Sequence, residues 1–554
     1  GLELSRAFWE EIVRPAVEEN CPVLLPRLAA GLCGGGSDCL GYDDELSHDH
    51  GYAAGCMLFL PPEDAETHGF LLSTLYDRLP REFRGVKTEH RSRQGDGRCG
   101  VKTTTQFLLE QTGLTRLPES CINVPGSMAL AATGDPETTY LAGKLTGEEL
   151  RSLGVNFNLA PSVDVNCNPA NPIIGVRSYG DTPATVAKYA AGMIRGLQDG
   201  GVLCLAKHFP GHGDTSLDSH LTLPCVDKPR DELERMELAP FRAAIADGVP
   251  AIMTAHILFP ALDDSGVPAT MSRRIVTGLL RGEMSFTGLV TSDCMEMQAV
   301  QKFFGSVNGV LAAMNAGVDL VLLSHTTLLS GEAAKAAAEA LQSGKLDRKE
   351  MAESVDRILA AKAKLAAVPA AAFDAERAAA LNDKLLRATI TEVHVPKAGR
   401  PNVGGHPLCL GCQVYRTGLV GNVVDDVQQS FPVMMAKALG GDGFTTPIDP
   451  SEDEIYEWVR RAESYTSIVI GTYNGHLHPQ QLEMVKALAQ NSGKPVTVVA
   501  LRNPYDLFPL PETIYTLAAY EYTARSTAAV ADVLLGRHAA TGRLPIATPE
   551  QEAQ

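Results

Sequence analysis

Residues 201–220 read GVLCLAKHFPGHGDTSLDSH. Val202–Ala206 is a short apolar run, and Lys207 and His208 end it with two hydrogen-bond donors for a polar ligand. The loop that follows holds two glycines and a proline, residues suited to unusual backbone angles and to movement. Asp218 and His220 are two apart, hence on the same side of an extended segment. A carboxylate beside an imidazole orients the ring, favours its protonated form and tunes it as a general acid/base. The competing reading is a polar loop with incidental histidines. Three His, two Asp and a Lys between 207 and 220 weigh against it.

The same pattern, an apolar run that stops abruptly at polar residues, repeats outward from this stretch. Val155–Leu159 leads to the polar residues from Asn158 to Asp164, Ala251–Thr254 to His256, Gly288–Thr291 to Ser292 and Asp293, and Val318–Leu323 to Ser324 and His325. Helix-period segments lie between them, at Ala184–Gln198, Asp231–Ala246 and Gly309–Ala316. Strand, loop and helix repeated every 30–50 residues or so signal a parallel α/β sheet. Ligands bind at strand C-termini both in a closed (β/α)8 barrel and in an open doubly wound sheet. Several strands contributing at once favour the barrel. Only five strands are visible in this region, whereas a full barrel needs eight.

Composition bounds the alternatives. The chain has 554 residues, 45% hydrophobic and 21% charged, an ordinary globular balance with ample length for a large core. Its net charge of −18 argues against nucleic acid or an anionic membrane as a partner. No apolar run reaches the ~18 residues of a membrane span. The first twenty residues form an acidic amphipathic helix rather than a signal peptide. Twelve scattered cysteines, among them Cys204 and Cys294 in apolar runs, fit packing thiols and a cytoplasmic location. Cys409 and Cys412 form one CxxC, weak evidence for zinc without a second pair or nearby histidines, and no metal or other cofactor is expected. Four segments follow: 1–120, 121–370, a linker over 371–400, and 401–554, where Thr466–Ile470, a helix near Gln480–Ala489 and Val496–Leu501 repeat the βα pattern.

Two further sites carry chemistry. Asp293 closes an apolar strand, where a carboxylate is costly unless paired or functional; the alternative is a helix N-cap. Arg177, in NPIIGVRSYG, is either a substrate clamp or a surface ion pair. Together KHFPGHGDTSLDSH, NPIIGVRSYG, PGSMALAATGD and VTSDCMEM resemble the signatures of glycoside hydrolase family 3, in its exo-acting β-N-acetylglucosaminidase branch. The Asp-x-His pair is the mark of that branch. The resemblance runs from about Pro125 to the C-terminus, where VVIGTYNGHLHP, PVTVVALRNPYDL and GRLPIATP look like the family's α/β sandwich domain. It implies an α/β architecture: a (β/α)8-type TIM barrel followed by an αβα sandwich.

The resemblance assigns Asp293 as nucleophile, His220 as acid/base, Asp218 as its partner, and Arg177, Lys207 and His208 as residues that grip the sugar. It implies a retaining double displacement that releases terminal β-linked N-acetylglucosamine from cell-wall or chitin-type fragments. The departure lies at the start of the barrel. The family's Asp-Gln-Glu-Gly-Gly segment is not found, which agrees with a count of five strands. Instead, Gly36–His50 resembles a nucleotidyltransferase-like group, an α+β fold. That group's Asp-x-Asp is broken here, because Gly51 follows Asp49 and His50, and this half is expected to be inactive. The exposed sheet edge needs a cover, either residues 1–120 or a second protomer in a homo-oligomer. Two alternatives stay open: a weakened sugar-binding or regulatory protein, and a β-N-acetylglucosaminide phosphorylase. If His220 is the acid, His220→Ala will slow substrates with poor leaving groups far more than an activated aryl glycoside. Equal losses on both, measured as kcat/KM, would leave His220 a binding role only.

Overall fold

The structure, a computed structural model, describes residues 2–31, 56–88, 100–103, 124–215, 223–324, 326–368, 373–412 and 427–549. The chain forms two compact units, Gly1–Ser120 and Cys121–Gln554. In the smaller one, helical turns over Leu2–Phe8, Trp9–Val13 and Arg14–Asn20 bury Phe8, Val13 and Val17 in a core shared with Leu58, Leu60 and Leu72. Met57–Leu60 pairs antiparallel with Ala29–Gly31 and parallel with Gly100–Thr103. Of these three strands only Met57–Leu60 falls on an apolar run legible in the sequence, Gly55–Leu60. The two flanking strands have little apolar periodicity of their own and exist because Met57–Leu60 satisfies their backbone groups. Gly36–His50, which carries the nucleotidyltransferase resemblance, lies outside the described residues.

The larger unit contains two parallel sheets. The first orders β1 (Ala206–Phe209), β2 (Ala251–Thr254), β3 (Leu289–Cys294) and β4 (Leu320–Leu322) side by side. Parallel bridges Phe157–Leu203 and Ser162–Lys207 continue it with an extended fifth segment. Period-two alternation divides its faces. Ala206, Ile252 and Val290 face the helical layer, packing in one core with Ile194, Phe241 and Leu279. Leu205, Ala251, Met253 and Leu289 face the other way, against Ile358 and Ala361 of helix Arg348–Ala366. Lys207 and His208, expected beyond a strand ending at Ala206, lie within β1, because pairing of Phe209 with Thr254 carries the ladder past them. The expected helix Asp231–Ala246 breaks into Arg230–Arg235 and Leu238–Ala246, where Glu237 turns inward to Lys228.

The second sheet runs β5-β10-β9-β8-β6-β7, with β5 Thr391–His394, β6 Leu408–Cys412, β7 Asp442–Thr446, β8 Ile468–Thr472, β9 Val496–Ala500 and β10 Tyr515–Ala518. All pairs are parallel except the edge strand β5, which is antiparallel to β10. Segment 371–400, expected to be a linker, instead holds helix Ala375–Thr389 and β5. Asp374 caps that helix, and its Leu385 packs on Leu130 and Ala142, so apolar burial turns the segment into structure. Among the described residues no helix is long and apolar enough to cross a membrane.

At the start of β4 the carboxylate of Asp319 is removed from water and takes hydrogen bonds from Arg281 (2.7 Å), Arg357 (2.8 Å), Ser354 (2.8 Å) and the Val290 N–H (2.8 Å). This cluster pins helix Arg348–Ala366 under the sheet. Asp319→Ala would leave those donors without their acceptor and should cost about 3 kcal/mol of unfolding free energy, read by urea denaturation.

Candidate active site

The bridge between Ser162 and Lys207 sets Asp164 beside β1. Its buried carboxylate meets the His208 ring at Nδ1 (2.8 Å) and accepts the Ser162 hydroxyl (2.8 Å), the His208 N–H (3.0 Å) and the His212 N–H (2.8 Å). Burial alone would push its pKa up; the His208 charge and these bonds outweigh it and hold it at about 2. Asn171 ties the neighbouring loops together. Its amide donates to the carbonyls of His212 (2.8 Å) and Gly213 (3.0 Å), and its oxygen accepts from the N–H groups of Ile173 and Ile174 (2.9 Å each). Gly213 is required there, because a Cβ would collide with the Val165 backbone.

Arg177 ends the short 3-10 turn Gly175–Arg177 and bonds the Ile173 carbonyl at 3.1 Å. It is half-buried, and its charge interacts with Asp164, Asp293 and Arg502, so it is no surface ion pair. Lys207 is also half-buried; burial, then repulsion from Arg177, lowers its pKa to about 8, while Asp293 and Asp164 oppose the fall. Asp293 sits in β3, and the next helix begins at Gln298 with Met297 as its cap, so the N-cap reading fails. Burial raises the Asp293 pKa, but the charges of His208 and His256, the Cys294 N–H (2.7 Å) and Lys207 bring it below the usual carboxylate range. Asp293 is therefore ionised at neutral pH.

The structure thus brings Arg177, Lys207, His208 and Asp293 together. Asp218 and His220 lie outside the described residues. The base of their loop is tied down on both sides: Lys228 pairs with Asp214 (2.8 Å) and Glu237 (2.7 Å). Asp214, Glu237 and Cys167 also have donor spacing for a cation, and the Lys228 ammonium already supplies one there. Cys409 and Cys412 are buried in β6 with thiols pushed up to about 12 by burial, which makes them packing groups.

Three groups were not assigned a role from sequence. Asp164 is one. His256 is the second: buried, it meets the Thr270 hydroxyl through Nδ1 and the Cys294 carbonyl through Nε2, both at 3.0 Å. A carbonyl can only accept, so Nε2 carries the proton. Both residues follow apolar runs, which was the available signal. The third comes from the second sheet, whose strand C-termini carry Tyr473, Arg502 and Glu521 to a cavity of about 450 Å³ that Arg177 and Lys207 also line. Asn166 reaches across to the Tyr505 hydroxyl at 2.8 Å, and Gly175 lies against Asn503.

A family profile described as "Glycosyl hydrolase family 3 N terminal domain" matches residues 80–361, beginning well before Pro125. β-Hexosaminidase A of Pseudoalteromonas piscicida is 32% identical over 491 residues, covering 77% of this chain and 80% of that one. A β-hexosaminidase of Alkalilimnicola ehrlichii is 38% identical over 217 residues, 38% of this chain and 60% of that protein. A solved glycoside hydrolase family 3 β-N-acetylglucosaminidase from Paenibacillus sp. str. FPU-7 aligns with a TM-score of 0.70 at 38% identity, covering 78% of this chain and 84% of that one. The chain belongs to glycosyl hydrolase family 3.

Two buried groups make the fold acid-labile in sequence. Burial, then the His208 charge, holds His212 at about 4, so stability falls as pH drops from roughly 6.5 to 4, where only the unfolded chain takes up that proton. Asp164, held at about 2, adds a loss of about 2–3 kcal/mol between roughly pH 4 and 2. Asp164→Asn should remove the second loss in thermal unfolding scans.

Proposed function

We propose that the chain is a retaining glycosidase that releases terminal β-linked N-acetylglucosamine from cell-wall or chitin-type fragments. The observation that carries this reading is an ionised, half-buried Asp293 at a strand mouth, with Lys207, His208 and Arg177 gathered around it. A nucleophilic carboxylate must be charged, reachable and held in place, and each condition is met by named groups. In this reading Asp293 attacks the anomeric carbon while His220, paired with Asp218, protonates the leaving oxygen. Water activated by His220 then hydrolyses the glycosyl-enzyme. Arg177, Lys207 and His208 hold the sugar hydroxyls. The relatives' names, β-hexosaminidase and β-N-acetylglucosaminidase, support the choice of sugar.

The first sheet, with segment 157–162 at its edge, is read as the later strands of a (β/α)8 barrel whose first strands are not seen among the described residues, followed by the αβα sandwich. Asp293→Ala should lower turnover of p-nitrophenyl β-N-acetylglucosaminide by ~10³-fold or more while thermal unfolding stays unchanged. A variant that keeps more than a few per cent of the rate would remove Asp293 as nucleophile.

A further inference from the structure

The loop after β10 puts one acidic side chain, Glu521, into the cavity that Arg177 and Lys207 line. The residue before it, Tyr520, has φ of +62°, a left-handed backbone that a bulky aromatic residue rarely adopts. The Tyr520 side chain is buried, and its hydroxyl donates to Thr391 of the edge strand at 2.9 Å, so the fold enforces this conformation. Strain kept in place by its surroundings at a cavity wall marks a position where the chain direction matters. Its consequence here is where Glu521 lies.

The Glu521 carboxylate accepts the Gly126 N–H at 2.5 Å, its one hydrogen bond among the described residues, and it makes no ion pair among them. A half-buried carboxyl group held by one backbone amide keeps acceptor capacity for a ligand in the cavity. The same cavity offers the cations Arg177, Lys207 and Arg502, and the Tyr473 ring over which Arg502 lies at 5.5 Å. A volume of about 450 Å³ accommodates a ring the size of a hexosamine. Polar groups from both sheets lining one cavity match a ligand with hydroxyls around its rim and apolar C–H faces. Burial also raises the Glu521 carboxyl to about 7, which lets it donate as well as accept near neutral pH.

We propose that Glu521 binds a hydroxyl of the sugar that Arg177 and Lys207 hold, which makes the second domain part of the substrate site. The proposal rests on the glycosidase reading above and adds a sugar-binding residue to it. Glu521 is a binding group and takes no part in bond making.

The test is calorimetric titration of the full chain with N-acetylglucosamine and its 3-, 4- and 6-deoxy analogues, for wild type, Glu521→Ala and Glu521→Gln. Wild type should bind one deoxy analogue about ten- to a hundredfold more weakly than the parent sugar. Glu521→Ala should bind the parent sugar that much more weakly and no longer distinguish it from that analogue. Glu521→Gln retains an acceptor for the Gly126 N–H, so it keeps any purely structural role, and it should still lose part of the discrimination. If both variants match wild type within twofold across all four ligands, Glu521 is only an anchor for Gly126 and the proposal falls. If Glu521→Ala unfolds, the Glu521→Gln series decides by the same criterion. Hydrolysis of p-nitrophenyl β-N-acetylglucosaminide by the wild-type chain is measured in parallel. Its absence would strike the glycosidase reading, while the binding comparison still decides the place of Glu521.

Discussion

Asp164 holds the site together. An ionised carboxylate with 1% of its surface exposed is tolerable only when donors surround it. Those donors are Ser162 on the edge segment, the ring and backbone of His208 in β1, and the backbone of His212 in the following loop. One charge therefore locks three stretches of chain in mutual register. His208 gains a fixed ring orientation, and the loop that leads to Asp218 and His220 leaves β1 in a set direction. The Lys228 pairs with Asp214 and Glu237 repeat the device at the loop's base.

A parallel sheet gathers all its strand C-termini on one edge, which is why such edges become sites. This protein uses that property twice. Lys207 comes from β1 of one sheet, and Tyr473, Arg502 and Glu521 follow β8, β9 and β10 of the other. The two edges meet at one cavity because Asn166 bonds Tyr505 and the glycine at 175 allows Asn503 to lie directly against the backbone. Residues that follow strands of both sheets thus share one small volume.

The electrostatics follow from that crowding. Burial weakens each isolated charge, and the neighbours decide what survives. Lys207 loses basicity to burial and to Arg177, yet Asp293 and Asp164 keep the fall to about 8. Asp293 stays ionised because the charges of His208, His256 and Lys207 outweigh its own desolvation. An acidic protein of net charge −18 so gathers positive charge locally around the carboxylate of Asp293.

Much of this could be read from the residues in order. Apolar runs that stop at polar residues located the strand mouths, and Lys207, His208, Asp293 and Arg177 came from short motifs whose chemistry is local. Period-two alternation and helical spacing are properties of neighbouring residues, so they survive in a string of letters. The extra strands of the first unit, the helix within 371–400, the extension of β1 through Lys207 and the burial of Asp164 did not. Each depends on a partner far away in the chain: Met57–Leu60 for its two flanking strands, Leu130 and Ala142 for the helix, Thr254 for β1 and His208 for Asp164. The sequence by itself singled out Lys207, His208, Asp293 and Arg177 and the apolar runs that become β1 to β4, β8 and β9. Only the tertiary structure decided which of them share a cavity and in what charge state, because pairing, burial and Coulomb interaction depend on distance in space rather than along the chain.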